Sequence, residues 1–276
     1  MASTIAHYRA ALSVPLRRIL HIDVLNPAVS DMIKAMSIAR PSKPFVAPSW
    51  NLQKVLDYIE GLPTNISYDD CLARAAFLLL LATGWRISEL HACVRMSDYC
   101  SINVNNQLKI QPHEIFLAKN ELSHTRWPHT TVNPLIHNNN RSKLCPVLNL
   151  TRYLHISNPK GVGPLFTDRS ARPIRLFQLS KRVCTLILKG DPSSKVKIHD
   201  VRKFASSLSF MNNMDIKELL HAMNWKSSTA FFKHYLSVIS IPRQPIVIPG
   251  GASYNHGEET YNDDVVNPDD DLQSTD

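Results

Sequence analysis

Four side chains in this sequence have the types needed to cleave a phosphodiester without a metal ion: Arg86, His199, Arg202 and Tyr235. A guanidinium group can give two hydrogen bonds to one phosphate, an imidazole can transfer a proton at neutral pH, and a phenol oxygen can attack phosphorus. His199 precedes Arg202 by three positions, so both side chains project from one face if this segment is helical. We therefore predict a phosphoryl-transfer site in which two arginines stabilise the charge of the transition state.

Each of these residues also has a simpler interpretation. Single arginines in a basic chain are usually surface residues, and a lone H-x-x-R motif occurs by chance with the histidine at a helix start. Tyr235 follows Trp225 by ten residues, and a tyrosine beside apolar residues on a helix normally packs in the core, as does a lone tryptophan. The combination in this order, rather than any one member, favours a site.

The segment before Arg86 predicts a helix that positions it. Ser67 is a suitable N-cap for a helix over residues 67–83, and Gly84 is a suitable C-terminal stop. A second helix is predicted to begin near Arg86. This arginine would then lie at a corner between two helices, where a long cationic side chain can reach a ligand.

The remaining pattern predicts a mainly α fold with a small antiparallel β-sheet. Residues 1–40 show helical spacing, prolines between 41 and 48 indicate a linker, and Ser49 is a candidate N-cap for a helix over residues 50–60. Strand pairs are expected within residues 102–117 and between residues 115–119 and 130–132. Further helices are predicted over residues 146–156, 177–188, 200–210, 215–223 and 228–238.

The net charge of +8 conceals an uneven distribution. Residues 251–276 contain eight acidic residues and no lysine or arginine, which leaves 31 basic and 15 acidic residues in the first 250 positions, a net charge of +16. Such a basic fold favours a polyanionic partner, although many soluble proteins are basic without one. Prolines, glycines and acids dominate from residue 241, so we predict an acidic, disordered tail over residues 241–276.

Cysteine usage and hydropathy restrict the class of protein. The five cysteines are scattered without a C-x-x-C pair, so we expect reduced thiols rather than disulfides or zinc ligands. No apolar run approaches the roughly 20 residues of a membrane helix, and the first ten residues lack a signal-peptide core. We expect an intracellular protein, nuclear if its host is a eukaryote, that requires no metal, cofactor or membrane.

Three segments resemble the characteristic boxes of tyrosine recombinases and phage-type integrases, and they occur in the same order. They are residues 84–90 (GWRISEL), 198–203 (IHDVRK) and 225–235 (WKSSTAFFKHY). A narrower resemblance is to the recombinases of DIRS-type retrotransposons. It is carried by residues 7–12 (HYRAAL), 116–120 (FLAKN) and 144–147 (LCPV).

The resemblance implies the tyrosine recombinase catalytic fold and a site-specific enzyme that cuts and rejoins double-stranded DNA. Tyr235 would attack the scissile phosphate to form a 3′-phosphotyrosyl intermediate. Arg86 and Arg202 would stabilise the transition state, and His199 would assist proton transfer. Strand exchange would require a homotetramer on two duplexes.

Three further residues take roles only through this resemblance. Trp225 stands where the family has a histidine or tryptophan that donates to a phosphate oxygen. Lys119 matches the general acid for the leaving oxygen, whereas the residues alone indicate a solvated surface lysine. Glu89 would support Arg86 rather than act in catalysis.

The same resemblance divides the chain into three parts. Residues 1–45 would be a partial, truncated helical core-binding segment, residues 46–240 the catalytic domain, and residues 241–276 the tail. Two other hypotheses stay open: a catalytically idle DNA-binding remnant of a mobile-element recombinase, and a basic helical scaffold without a nucleic-acid role.

Overall fold

The structure is a computed structural model that describes residues 2–39, 48–63, 66–117, 129–137, 140–157, 162–192, 195–225, 227–236, 239, 242–250 and 253–254. It separates into two compact units, Met1–Val46 and Ala47–Asp276. In the described part of the chain, no helix is long and apolar enough to cross a membrane. All five cysteines are free, and Cys71, Cys93 and Cys145 are buried.

The first unit is a pair of helices, α1 (Ala2–Leu20) and α2 (Pro27–Ala39), which pack against each other. Arg9 Nη1 donates to Ser30 Oγ at 2.8 Å and links the two helices. The helical prediction for this segment is confirmed. Residues 40–47, which contain most of the predicted linker, lie outside the described residues.

The second unit is mainly helical with small antiparallel sheets, so the predicted fold class is confirmed. Its helices are α3 (Leu52–Gly61), α4 (Tyr68–Thr83), α5 (Ile87–His91), α6 (Pro146–Ser157), α7 (Leu176–Gly190), α8 (His199–Met211), α9 (Ile216–Ala222) and α10 (Ser228–His234). Its strands are β1 (Cys100–Ile102), β2 (Leu108–Ile110), β3 (Thr130–Val132), β4 (Ile136–His137), β5 (Asn140–Arg141), β6 (Ile246–Val247) and β7 (Ser253–Tyr254).

Helix α4 forms the centre of this unit. Ser67 Oγ accepts the Asp70 N–H at 3.1 Å, as predicted for an N-cap, and every residue from Cys71 to Thr83 is buried. The helix packs against α6, α7 and α8. A helix that is buried on all sides can be apolar all round, and this explains its long uninterrupted apolar run.

The start of α3 differs from the prediction. Its N-cap is Asn51, whose side chain accepts the Lys54 N–H at 3.3 Å. Ser49 does not cap the helix, because its hydroxyl donates instead to the Lys195 carbonyl at 2.6 Å.

Strands β1, β2 and β3 form one antiparallel sheet in that order. Ile102 pairs with Leu108, and Leu108 pairs with Val132 across the other edge of β2. The predicted strand at residues 115–117 is wrong. The N–H groups of Ile115 and Phe116 turn back to His113, at 3.3 Å to its Nδ1 and 2.8 Å to its carbonyl, which closes a turn.

The predicted tail also begins later than residue 241. Ile246, Val247 and Ile248 are buried, and β6 contacts α4. Arg243 N–H donates to Gln53 Oε1 at 2.7 Å, which ties the segment to α3. Residues 242–250 therefore belong to the core, because their aliphatic side chains outweigh the proline and glycine signal. Residues 255–276, with all eight acids, lie outside the described residues.

Candidate active site

Arg86 stands at a tight corner between α4 and α5. Gly84 ends α4 in the left-handed conformation (φ +64°), and its N–H donates to the Leu80 carbonyl at 2.9 Å. A Cβ at Gly84 would lie 2.3 Å from the Met223 side chain, so the position suits only glycine. Arg86, two residues later, is the N-cap of α5, so it lies between two helices as predicted.

Glu89 joins the two arginines of the predicted site. Its Oε2 accepts the Arg86 backbone N–H and its Oε1 accepts Arg86 Nη1, both at 2.6 Å. Oε2 also lies 3.4 Å from Arg202 Nη1. Glu89 and Arg202 are each 1% exposed and the Arg86 side chain is 15% exposed. The carboxylate cancels one of the two positive charges, so the triad keeps a net charge of +1.

Arg202 is held by backbone carbonyls as well as by Glu89. Its Nη1 donates to the Gly84 carbonyl at 2.8 Å, and its Nη2 donates to the Met223 carbonyl. Its Nε is buried without a hydrogen-bond partner among the described residues. These contacts fix the guanidinium plane between the α4–α5 corner and the end of α9.

Burial is the main cause that lowers the pKa of Arg202 to about 10. The neighbouring cation of Arg86 acts in the same direction, whereas Glu89 and Tyr235 oppose it. Arg202 therefore stays cationic at neutral pH, in a setting of low polarity where its field is weakly screened.

Trp225 and Tyr235 cover Arg202. The guanidinium carbon lies 4.8 Å from the Trp225 ring centroid and 5.9 Å from that of Tyr235. The two rings are 4.5 Å apart at an angle of 47°, and Arg202 hydrogen-bonds the Tyr235 side chain. Both aromatic residues are half-buried. Cation–π contacts of this kind stabilise a guanidinium that has left water.

Tyr235 lies at the C-terminal cap of α10, so this helix ends earlier than the predicted residue 238. The Tyr235 N–H donates to the Phe231 carbonyl at 2.9 Å, and Ser207 Oγ donates to the Tyr235 carbonyl at 3.1 Å. Phe231 is fully buried against Trp225, with ring centroids 5.7 Å apart. The aromatic packing of α10 thus sets where the tyrosine stands.

The structure brings together Arg86, Arg202, Trp225 and Tyr235 from four separate segments. His199 is the first residue of α8, one turn before Arg202. The His199 side chain is exposed, whereas the Arg202 side chain is buried. Lys119 falls in the connection between β2 and β3 and lies outside the described residues.

Two groups of the site had no signal in the sequence. They are the carbonyl oxygens of Gly84 and Met223, which hold Arg202. Every residue has a carbonyl group, so only the path of the chain determines which of them face a buried cation. Glu89, in contrast, was predicted through the family resemblance, as a support for Arg86.

The arrangement suits an anion that carries oxygen atoms. Arg86 uses only its Nη1 and backbone N–H within the described residues, which leaves its Nε and Nη2 donors for a ligand. Among these residues no group of three or more His, Cys, Asp and Glu side chains is placed to hold a metal ion. Tyr235 lies beside the Arg202 guanidinium, and a phenol next to a cation is suited to nucleophilic attack on a phosphate.

The chain matches no protein-family model and no curated protein. Solved structures similar to it include a lambda integrase dimer bound to a COC′ core site, with a TM-score of 0.49 and 16% identity, covering 83% of this chain and 57% of that one. XerA recombinase has a TM-score of 0.48 and 16% identity, covering 86% and 79%. XerH site-specific recombinase bound to its difH substrate has a TM-score of 0.48 and 14% identity, covering 67% and 49%. The chain thus spans about half the length of the XerH chain. These similarities are too low to assign a family, so the functional argument rests on the side chains of the site.

Proposed function

We propose that this protein is a DNA recombinase of the tyrosine recombinase type, which cuts and rejoins double-stranded DNA. The observation that carries the proposal is the cluster in which Glu89 bridges Arg86 and Arg202 while Trp225 and Tyr235 lie over Arg202. Two cations, one aromatic donor and one phenol in a single cluster match the needs of metal-free transesterification.

In the proposed reaction, the Tyr235 oxygen attacks the scissile phosphorus. A phosphotyrosyl bond forms at the DNA 3′ end while the bond from phosphorus to the 5′ oxygen breaks. The phenol proton leaves through His199, and the departing 5′ oxygen takes a proton from Lys119. Arg86 and Arg202 neutralise the charge that develops on the non-bridging oxygens, which is the largest source of rate enhancement in such reactions.

The finer assignments follow from the sequence resemblance alone. We propose a mobile-element recombinase of DIRS type that assembles as a homotetramer on two duplexes. Trp225 would donate its indole N–H to a phosphate oxygen, because this group is a donor only and cannot transfer a proton in both directions.

A second candidate is a DNA-binding remnant that no longer turns over. The observation that favours it is the burial of Arg202, whose side chain is only 1% exposed. Its Nη1 and Nη2 groups already donate to backbone carbonyl oxygens. In this arrangement only Arg86 is open to a phosphate. The active enzyme requires the Trp225–Tyr235 pair to move aside when DNA binds.

Covalent trapping distinguishes the two candidates. The protein would be incubated with nicked duplexes of random sequence, and protein–DNA adducts would be sought on a denaturing gel. We expect an adduct with the parent chain and none with Tyr235→Phe, which keeps the ring and removes the attacking oxygen.

The matched control is Tyr8→Phe, the same chemical change at an exposed tyrosine of α1. This variant should retain the adduct. Salt-sensitive DNA binding without any adduct would favour the remnant, and an adduct that persists in Tyr235→Phe would show that the nucleophile is another residue.

A further inference from the structure

A second cluster of basic residues surrounds a cavity between α4 and α6, on a part of α4 distant from the arginine site. The cavity has a volume of about 340 Å³. Its basic lining residues are Arg74, Arg152 and His155, and its apolar walls include Ile66 and Ile156. None of the described residues that line it is acidic.

Arg74 is the unusual member of this cluster, because it is 1% exposed and has no ion pair within the described residues. Its Nε donates to Asn149 Oδ1, while its Nη2 is buried without any hydrogen-bond partner there. Asn149 is fixed in turn, since its Nδ2 donates to the Lys143 and Cys145 carbonyls, both at 2.8 Å. A buried cation without an ion pair and with an unpaired donor is strongly unfavourable, so the position calls for an anion.

The neighbouring charges increase this demand. Burial lowers the pKa of Arg74, and the nearby cation of Arg152 lowers it further. The Arg152 side chain makes no hydrogen bond or ion pair in the described part of the chain, so both arginines line the cavity without a counter-charge there. His155 lies one helical turn beyond Arg152 on α6 and can add a third donor.

We propose that this cavity binds a small organic anion, with a carboxylate or phosphate head group on Arg74 and Arg152 and an apolar body against Ile66 and Ile156. The apolar walls argue against an inorganic ion, which would leave them empty. The head group would accept charge-assisted hydrogen bonds from the guanidinium groups that line the cavity, and such contacts are the strong ones for guanidinium donors. The site is independent of the function proposed for Arg86 and Tyr235.

Calorimetric titration of the full chain with four probes tests the proposal. Octanoate and octyl phosphate carry both parts of the expected ligand and differ in the head group, octanol lacks the charge, and inorganic phosphate lacks the apolar body. We expect at least one of the first two to bind with 1:1 stoichiometry, about tenfold or more tighter than octanol and inorganic phosphate. The tighter of the two identifies the head group.

The test variant is Arg152→Gln. This half-buried side chain makes no hydrogen bond or ion pair among the described residues, so its loss should leave the fold intact. It should weaken binding of the preferred probe about tenfold. Arg243→Gln, which removes an exposed arginine outside the cavity, should leave binding unchanged. Equal binding of octanol and both anions, unchanged binding in Arg152→Gln, or no binding of either anionic probe at millimolar concentration would overturn the proposal.

Discussion

Glu89 is the residue on which both arginines of the candidate active site depend. It accepts from Arg86 twice and from Arg202 once while being 1% exposed. A buried carboxylate between two cations is stabilising only as part of the set, because any member left alone is an uncompensated buried charge.

Glu89→Gln should therefore lower the free energy of unfolding by about 3 kcal/mol, since the amide keeps the shape and removes the charge. Urea denaturation measures this change. The matched control is Asp57→Asn, which removes a carboxylate from an exposed pair with Arg243 and should cost less than about 1 kcal/mol. Equal stabilities of Glu89→Gln and the parent protein would show that the charge of Glu89 is not needed.

The proposed acid role of Lys119 can be tested by changing the leaving group. If it protonates the leaving 5′ oxygen, Lys119→Ala should slow cleavage by about a hundredfold or more, in the range of general acid catalysis. A substrate with a better leaving group at that position should restore the rate, because such a group departs without a proton. A variant that stays slow with this substrate would remove Lys119 from the acid role.

At the scale of elements, the site depends on the corner between α4 and α5. Gly84 supplies both the left-handed turn and the carbonyl that accepts from Arg202 at 2.8 Å. The same turn therefore ends the central helix and orients the buried cation. Sequence patterns predicted α4, its Ser67 cap and the Gly84 stop, because these are local features that depend on a few neighbouring residues.

Gly84→Ala should lower the free energy of unfolding by about 2 kcal/mol, because a side chain is strained at this φ angle and meets Met223. The control is Gly61→Ala at the end of α3, where an added Cβ meets nothing within 4 Å. The control should be neutral or stabilising by up to about 1 kcal/mol. Urea denaturation of both variants decides the point, and equal effects of the two would contradict a special role for the corner.

At the scale of the whole molecule, residues 242–250 hold the second unit together. Ile246, Val247 and Ile248 are almost fully buried although prolines and glycines surround them. Each such side chain contributes about 1.5–3 kcal/mol by leaving water. Their sum is a large part of the roughly 5–15 kcal/mol by which a domain is stable.

A chain that ends at residue 241 should consequently show a much lower Tm or no cooperative unfolding. A chain that ends after Tyr254 retains every described contact and should melt close to the full chain. Circular dichroism on heating compares the three proteins. Equal Tm values for the two shortened chains would place residues 242–254 outside the stable core.

Charge distribution is the second property of the whole molecule. Ending the chain after Tyr254 removes all eight tail acids and changes the net charge from +8 to +16. Duplex affinity should fall steeply with salt in either chain, with a log–log slope near −0.9 for each phosphate neutralised. Fluorescence anisotropy over a salt series measures the slope, and affinity that does not vary with salt would contradict DNA binding.

Sequence alone determined the fold class and most helix positions, and it predicted the residues of the candidate site. Helical spacing, caps and stops are patterns within short segments. Arg86, His199, Arg202 and Tyr235 stand out by type and order, whereas Trp225 was predicted through the family resemblance. The predictions from local patterns were wrong for residues 115–117 and 242–250. Strand pairing and burial there depend on residues that are distant in the sequence. Tertiary structure alone decided that Glu89 bridges both arginines, that Gly84 and Met223 carbonyls hold Arg202, and that Trp225 and Tyr235 cover it. The contacts of Arg202 with Gly84 and Glu89 span more than a hundred residues, and its contact with Met223 spans 21, so only the folded path of the chain can create them.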